Sequence, residues 1–180
     1  MLHIVLFEPE IPQNTGNIMR TCVAIGAKLH LIEPMGFRLD EKRLKRSALD
    51  YYEYIDYKVY KNYEAFTKEN KGRYFFLTRY GQKTYSEFNY KDIDEDIYLI
   101  FGKESTGVDK KILASHLDSC YRIPTTDKVR SLNLSNCVAL VSYEVLRQLD
   151  YPDLIRTEPE SLKGADFLNQ FIGDKGNDES

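Results

Sequence analysis

Short apolar runs alternate with helical patterns along most of this chain, and that alternation restricts the folds open to it. The runs are residues 2–7, 28–32, 74–78, 97–101 and 119–123. Between and after them, apolar periodicity predicts helices over 17–25 (closed by Gly26), 41–49, 63–70 (closed by Gly72), 109–116 and 133–149. Strands that alternate with helices form a mostly parallel sheet with helices on both faces. Such strands are covered on both sides, so they are short and apolar throughout, as these are. No internal repeat or low-complexity linker interrupts the pattern, and 180 residues suit a single core.

Composition excludes several classes. An apolar fraction of 42% with 29% charged residues is that of an ordinary globular chain. No apolar run approaches the ~20 residues of a membrane span. The opening residues 1–8 lack a basic n-region, so no signal peptide is expected. Cys22, Cys120 and Cys137 share no CxxC spacing and read as reduced residues of a cytoplasmic protein. His3, His30 and His116 are scattered, so no metal site is expected. The net charge is −3, yet residues 150–180 hold eight acidic and three basic residues, which leaves the body at +2. Affinity for nucleic acid would therefore rest on a local patch.

Three polar segments stand at the ends of these elements. Residues 130–136 (Arg-Ser-Leu-Asn-Leu-Ser-Asn) crowd the mouth of the apolar helix 133–149, whose first-turn N–H groups are free. A cap needs one such residue, and this segment has several. Residues 14–20 (Asn-Thr-Gly-Asn-Ile-Met-Arg) and 101–107 (Phe-Gly-Lys-Glu-Ser-Thr-Gly) are read as two more polar, Gly-bearing loops. Three such loops at element ends are the layout of an α/β site at the carboxyl ends of strands. No G-x-G-x-x-G follows the first strand, which argues against a nucleotide-dependent dehydrogenase.

The three segments resemble the signature motifs of the SPOUT class, SpoU branch, of RNA 2′-O-ribose methyltransferases. The motifs are Asn14 to Arg20, Phe101-Gly102-x-Glu104-x-x-Gly107, and Ile123-Pro124 with Ser131-Leu132-Asn133-Leu134-Ser135. Residues 8–12, 32–37, 42–44 and 49–51 are similar to the subfamily acting on the tRNA wobble cytidine or uridine. The resemblance covers roughly residues 1–152 and leaves 153–180 as an acidic tail. It implies a fold that spacing does not reveal: the α/β sheet with a C-terminal deep trefoil knot. That knot would gather Leu77, Thr78, Gly102, Glu104, Ile123, Ser131 and Leu132 around S-adenosylmethionine.

The implied reaction moves a methyl group from S-adenosylmethionine to a ribose 2′-OH, leaving S-adenosylhomocysteine. Its catalytic set would be Arg20, Asn14, Glu104, Ser131 and Asn133. A guanidinium hardly ever gives up its proton, so Arg20 is assigned to placing the hydroxyl and a neighbouring phosphate and to stabilising the forming alkoxide. Asn14 either orients Arg20 or the ribose, or caps a helix. Glu104 is expected to fix its loop by accepting backbone or Asn14/Asn133 hydrogen bonds. Ser131 and Asn133 are expected to shape the cofactor and ribose site.

For the RNA, a tRNA anticodon stem-loop, the contacts assigned are Arg20, Lys42, Arg43 and Arg46, with Tyr143 an RNA or interface residue. The six tyrosines within 51–63 are read as residues of half-exposed strands and interfaces rather than base platforms. Helix 133–149 is apolar nearly all round, so one side is expected to face a second copy. The family pairs this helix in an antiparallel-type homodimer that completes each site, and Val141→Glu is expected to yield monomer or aggregate. In the tail, 159–171 is expected to form an amphipathic helix and 173–180 to be disordered. Two other readings stay open: the same chemistry at another tRNA or rRNA position, and a non-catalytic RNA-binding relative.

Overall fold

A computed structural model describes residues 1–48 and 50–172 of the chain. It divides into a compact unit of residues 1–150 and a second unit that begins at Tyr151. The first unit is built on seven strands: β1 Leu2–Phe7, β2 Lys28–Ile32, β3 Tyr57–Tyr60, β4 Arg73–Leu77, β5 Lys83–Thr84, β6 Ile97–Gly102 and β7 Cys120–Arg122. They form one sheet in the order β3-β2-β1-β6-β4-β7-β5, and every pairing is parallel. The helices are α1 Pro12–Ile25, α2 Glu41–Ser47, α3 Tyr63–Glu69, α4 Lys110–Ala114 and α5 Leu134–Gln148.

The sheet separates two packed layers because its central strands are apolar on both faces. All six residues of β1 are buried. Val5 and Phe7 of β1 and Tyr98 and Ile100 of β6 pack with Phe66 of α3 and Leu113 of α4. Their alternate neighbours Ile4, Leu6 and Leu99 are equally buried and point to the opposite face. There α1 and α5 pack together.

One buried network breaks the apolar pattern. His3 and His30 lie 2.9 Å apart, Nδ1 to Nε2, and His30 Nδ1 lies 3.0 Å from Tyr60 Oη. His3 Nε2 faces Asp96 Oδ2 at 3.5 Å, too long for a good hydrogen bond. Burial first, then the positive charge of His3, Lys28 and Lys58, holds His30 down to about 3.

Four expectations need correction. Helix α1 starts at Pro12 rather than residue 17, so Asn14 stands on the helix that carries Arg20 and not in a loop. Pro12 opens it at a position where proline costs nothing, and Asn14, Thr15, Ile18, Met19, Cys22 and Ile25 form its buried stripe. Gly26, at φ 66°, closes it in the left-handed conformation. Strands β3 and β5 were not expected. They are sheet edges, and Lys58, Val59 and Lys83 leave them half in solvent without an apolar run.

Helix α5 buries one side within its own protomer, and this corrects the expectation for Val141. Val138, Val141, Ser142, Val145 and Leu146 face the core, while Leu140 and Tyr143 are exposed. Val141→Glu would therefore place a carboxylate in the protomer's own core and says nothing about a second copy. In the second unit, 159–171 is not an amphipathic helix. Gly164 at φ 77° closes a turn onto Pro159, and only a 3₁₀ segment, Phe167–Phe171, follows. Leu162, Leu168 and Phe171 are all exposed, so no apolar face is buried to hold a helix. The expectation for 173–180 lies outside the described residues. Among the described residues no helix is long and apolar enough to cross a membrane.

Candidate active site

The carboxyl ends of β4, β6 and β7 open into a cavity of about 660 Å³, within the range of small-ligand pockets. Each wall is shaped by a local device. At the end of β4, Thr78 N–H donates to the Tyr121 carbonyl at 2.9 Å, and Gly81 passes so close to β7 that a Cβ would lie 2.5 Å from Tyr121 C. After β6 the chain doubles back: Gly107 N–H donates to Lys103 O at 2.9 Å, with Gly107 at φ 75°. A Cβ on Gly102 would fall 2.2 Å from the backbone of Gly107 and Val108, so both positions of this turn require glycine.

Carboxylates and amides bind the three polar segments to one another. Ile11, at the N-cap of α1, offers no side-chain cap. Glu104 takes over: its Oε2 accepts from Glu10 N–H at 2.9 Å, and its Oε1 accepts from Ile11 N–H at 3.2 Å and Asn14 Nδ2 at 3.0 Å. The anion thus meets the positive end of the helix. Asn14 Oδ1 in turn accepts from Asn133 Nδ2 at 3.0 Å. Asn133 Oδ1 caps α5 through Ser135 N–H at 2.9 Å and Ser135 Oγ at 2.7 Å.

A return clasp runs the other way. Glu10 accepts from Ser105 Oγ at 2.8 Å and Ser105 N–H at 2.9 Å, and these bonds hold its carboxyl below the usual range. Lys103 Nζ pairs with Glu8 at 2.6 Å beside it.

The structure brings most of the expected residues together. Leu77, Thr78, Gly102, Ile123, Ser131 and Leu132 all line the cavity, and so do Asn14, Glu104 and Asn133. Asn14 is buried, and its hydrogen bonds go to Glu104 and Asn133 rather than to a cap. Arg20 is not brought there. It lies on the exposed side of α1, its Cζ 5.5 Å from the Tyr51 ring centroid. Lys42 and Arg46 are exposed on α2, and Tyr143 is exposed on α5. The Arg43 side chain lies outside the described residues.

Several lining residues were missed. Arg79, Lys110 and Arg130 put cationic groups on the cavity wall, and Arg79 Cζ and Lys110 Nζ lie 5.1 and 5.2 Å from the Tyr80 ring centroid. Arg130 belonged to the polar run and was open to recognition; Arg79 and Lys110 carried no signal. Thr125 also lines the cavity, and its buried hydroxyl has no partner among the described residues.

The cavity is fitted for holding rather than for proton transfer. Both Glu104 oxygens are engaged, and the Cys137 thiol is pushed up by burial, away from the reactive thiolate. The buried Cys22 is pushed up to about 12. Among the described residues no group of three or more His, Cys, Asp or Glu is placed to hold a metal.

A parallel α/β sheet whose carboxyl ends hold such a cavity is shared with a known class of enzyme. The chain belongs to the SpoU rRNA methylase family, whose profile matches residues 1–143. A protein of Escherichia coli (strain K12) described as tRNA (cytidine(34)-2′-O)-methyltransferase is 48% identical over 157 residues, 86% of this chain and 98% of its own length. A solved structure described as "Structural insights into the 2-OH methylation of C/U34 on tRNA" is 41% identical, with a TM-score of 0.75 over 83% of this chain and 97% of that one. The AdoMet-bound rRNA methyltransferase from Sinorhizobium meliloti shares the fold at a TM-score of 0.70 and 24% identity, over 82% of this chain and 56% of its own.

Proposed function

We propose that this chain methylates the ribose 2′-OH of the wobble nucleotide, cytidine or uridine 34, of tRNA, with S-adenosylmethionine as donor and S-adenosylhomocysteine as product. The observation that carries the reading is the hydrogen-bonded chain Glu104–Asn14–Asn133 along the cavity wall, lying wholly within the region shared with the family. The residues present fit the donor. The cavity has the volume for a nucleoside ligand, the glycine turn at 102–107 brings backbone close to it, and the Thr125 hydroxyl awaits a polar partner.

When bound, S-adenosylmethionine supplies a methyl group on a sulfonium, an electrophile that needs no metal. The chain's own work is placement and charge. Glu104, Asn14 and Asn133 fix the three segments, and Ser131 and Asn133 shape the ribose side of the cavity. Arg20 holds the phosphate beside the target and stabilises the oxyanion that forms at the 2′-oxygen. A guanidinium keeps its proton, so the hydroxyl proton passes to a phosphate or to solvent.

Arg20 lies outside the cavity lining of its own protomer. Our reading therefore pairs two copies through the exposed Leu140–Tyr143 side of α5, so that Arg20 of one copy serves the cavity of the other. The gathering of 77–81, 102–107 and 123–132 at one end of the sheet supports a trefoil knot through which the chain passes after β7. Residues 1–152 would be the catalytic domain, and Lys42, Arg43 and Arg46 with Tyr143 would meet the anticodon stem-loop. The free cysteines fit a cytoplasmic protein. Ribose-methylation mapping of cellular tRNA with and without the protein tests the reading. Loss of methylation at position 34 alone is expected; intact methylation there, or loss at an rRNA site, refutes it.

A further inference from the structure

Tyr51 has no part in the cavity and lies on a different segment from Arg20, yet its ring is the group that meets the guanidinium, at 5.5 Å from Cζ to centroid. The Tyr51 backbone is tied to a buried residue. Tyr51 is half-buried, its N–H donates to the Ala48 carbonyl at 2.7 Å, and Ala48 is completely buried. The platform is therefore anchored to the core, whereas Arg20 projects from the exposed side of α1.

What Arg20 lacks is as informative. Among the described residues no carboxylate pairs with it and no acceptor takes its N–H groups. The cations that line the cavity are treated differently: Lys103 is paired with Glu8, and Lys110 donates to the Thr106 and Val108 carbonyls. A carboxylate would restrain Arg20 by occupying the in-plane donors that a phosphate or an oxyanion needs. An aromatic ring restrains it through the π-face and leaves all five N–H donors free. Tyr51 also lies shortly after α2 (Glu41–Ser47), whose Lys42, Lys45 and Arg46 are exposed, so the arginine sits beside a basic helix.

We infer that Tyr51 is the positioning residue of Arg20: it fixes the guanidinium for the ribose–phosphate of the substrate without consuming its hydrogen-bond donors. The inference rests on the proposed role of Arg20 in methyl transfer.

The test is single-turnover methylation of tRNA at saturating S-adenosylmethionine, beside cofactor calorimetry and thermal midpoints. The proteins are wild type, Tyr51→Phe, Tyr51→Leu, Arg20→Ala and the Arg20→Ala/Tyr51→Leu pair. Tyr51→Leu is expected to slow the chemical step about 10-fold with cofactor affinity unchanged, and Tyr51→Phe to restore it. In the Arg20→Ala background Tyr51→Leu is expected to cost nothing more. Should the leucine variant not fold, Tyr51→Gln takes its place. The inference is overturned if Tyr51→Leu stays within 2-fold of wild type, if Tyr51→Phe is as slow as Tyr51→Leu, or if the loss persists without Arg20. Near-wild-type rates in Arg20→Ala alone instead bring down the role of Arg20, and that arm is read independently.

Discussion

Lowering the pH from 7.5 to 5 should cost the fold about 2 kcal/mol through His30 alone. An unfolded histidine titrates near 6.5, whereas burial and nearby positive charge hold folded His30 at about 3. A depressed folded pKa gives stability that is fully present above 6.5 and is lost as the pH falls toward 3. At pH 5 the unfolded chain is protonated at His30 and the folded chain is not. The difference is 1.5 pH units at 1.36 kcal/mol each, or about 2 kcal/mol, and it holds for any folded value well below 5. For a domain of this size the loss corresponds to about 4–8 °C in thermal midpoint. His3, also lowered by burial above all, acts in the same direction. Asp96 is held below its ordinary 3.8, chiefly by its bond to the N-terminal ammonium, and adds its loss only at lower pH.

Urea unfolding of wild type and His30→Gln at pH 7.5 and 5 isolates the histidine. The glutamine variant loses stability at both pH values, but its pH dependence should be about 2 kcal/mol shallower. Equal pH dependence in the two proteins, or a folded His30 found by NMR to titrate near 6.5, would refute the reasoning.

Three further outcomes follow from the site and the surface. Glu104→Gln keeps the volume but turns an N–H donor toward backbone N–H groups, so it should cost about 2–3 kcal/mol in urea unfolding and weaken calorimetric binding of S-adenosylmethionine at least 10-fold; wild-type affinity would contradict the clasp. Leu140→Glu/Tyr143→Glu, on the exposed side of α5, should convert a dimer to a folded 21.0 kDa monomer in light scattering, and a variant of unchanged mass would remove that face from the interface. Removing 157–180 should leave tRNA methylation within a few-fold, because every cavity-lining residue precedes residue 138; a folded but inactive truncation would show the tail to be part of the machinery.

The sequence was legible where burial was uniform. Strands β1, β2, β4, β6 and β7 lie inside the sheet; β1 and β6 are buried almost throughout, and all five were found with near-correct ends. The edges β3 and β5 carry no such run, because an edge strand in solvent needs none. The start of α1 was hidden for a different reason. Asn14 and Thr15 are polar yet buried, so local polarity spoke for a loop. What permits Asn14 to be buried is a pair of partners 90 and 119 residues away, Glu104 and Asn133, and no window of sequence contains them.

The same distance explains why three motifs behave as one. A carboxylate that accepts two backbone N–H groups and an amide cannot shift without unsatisfying α1, and the amide cannot shift without losing its bond to Asn133, whose Oδ1 caps α5. The helix that carries Arg20, the turn after β6 and the mouth of α5 are therefore linked by one chain of hydrogen bonds. Catalysis by placement requires this, since a displacement of about 1 Å between reacting groups costs roughly 100-fold in rate. The polar segments read from sequence as the loops of one site are a single brace, and Glu104, expected to fix its loop by accepting backbone or Asn14/Asn133 hydrogen bonds, is the residue whose two oxygens are engaged by Glu10, Ile11 and Asn14.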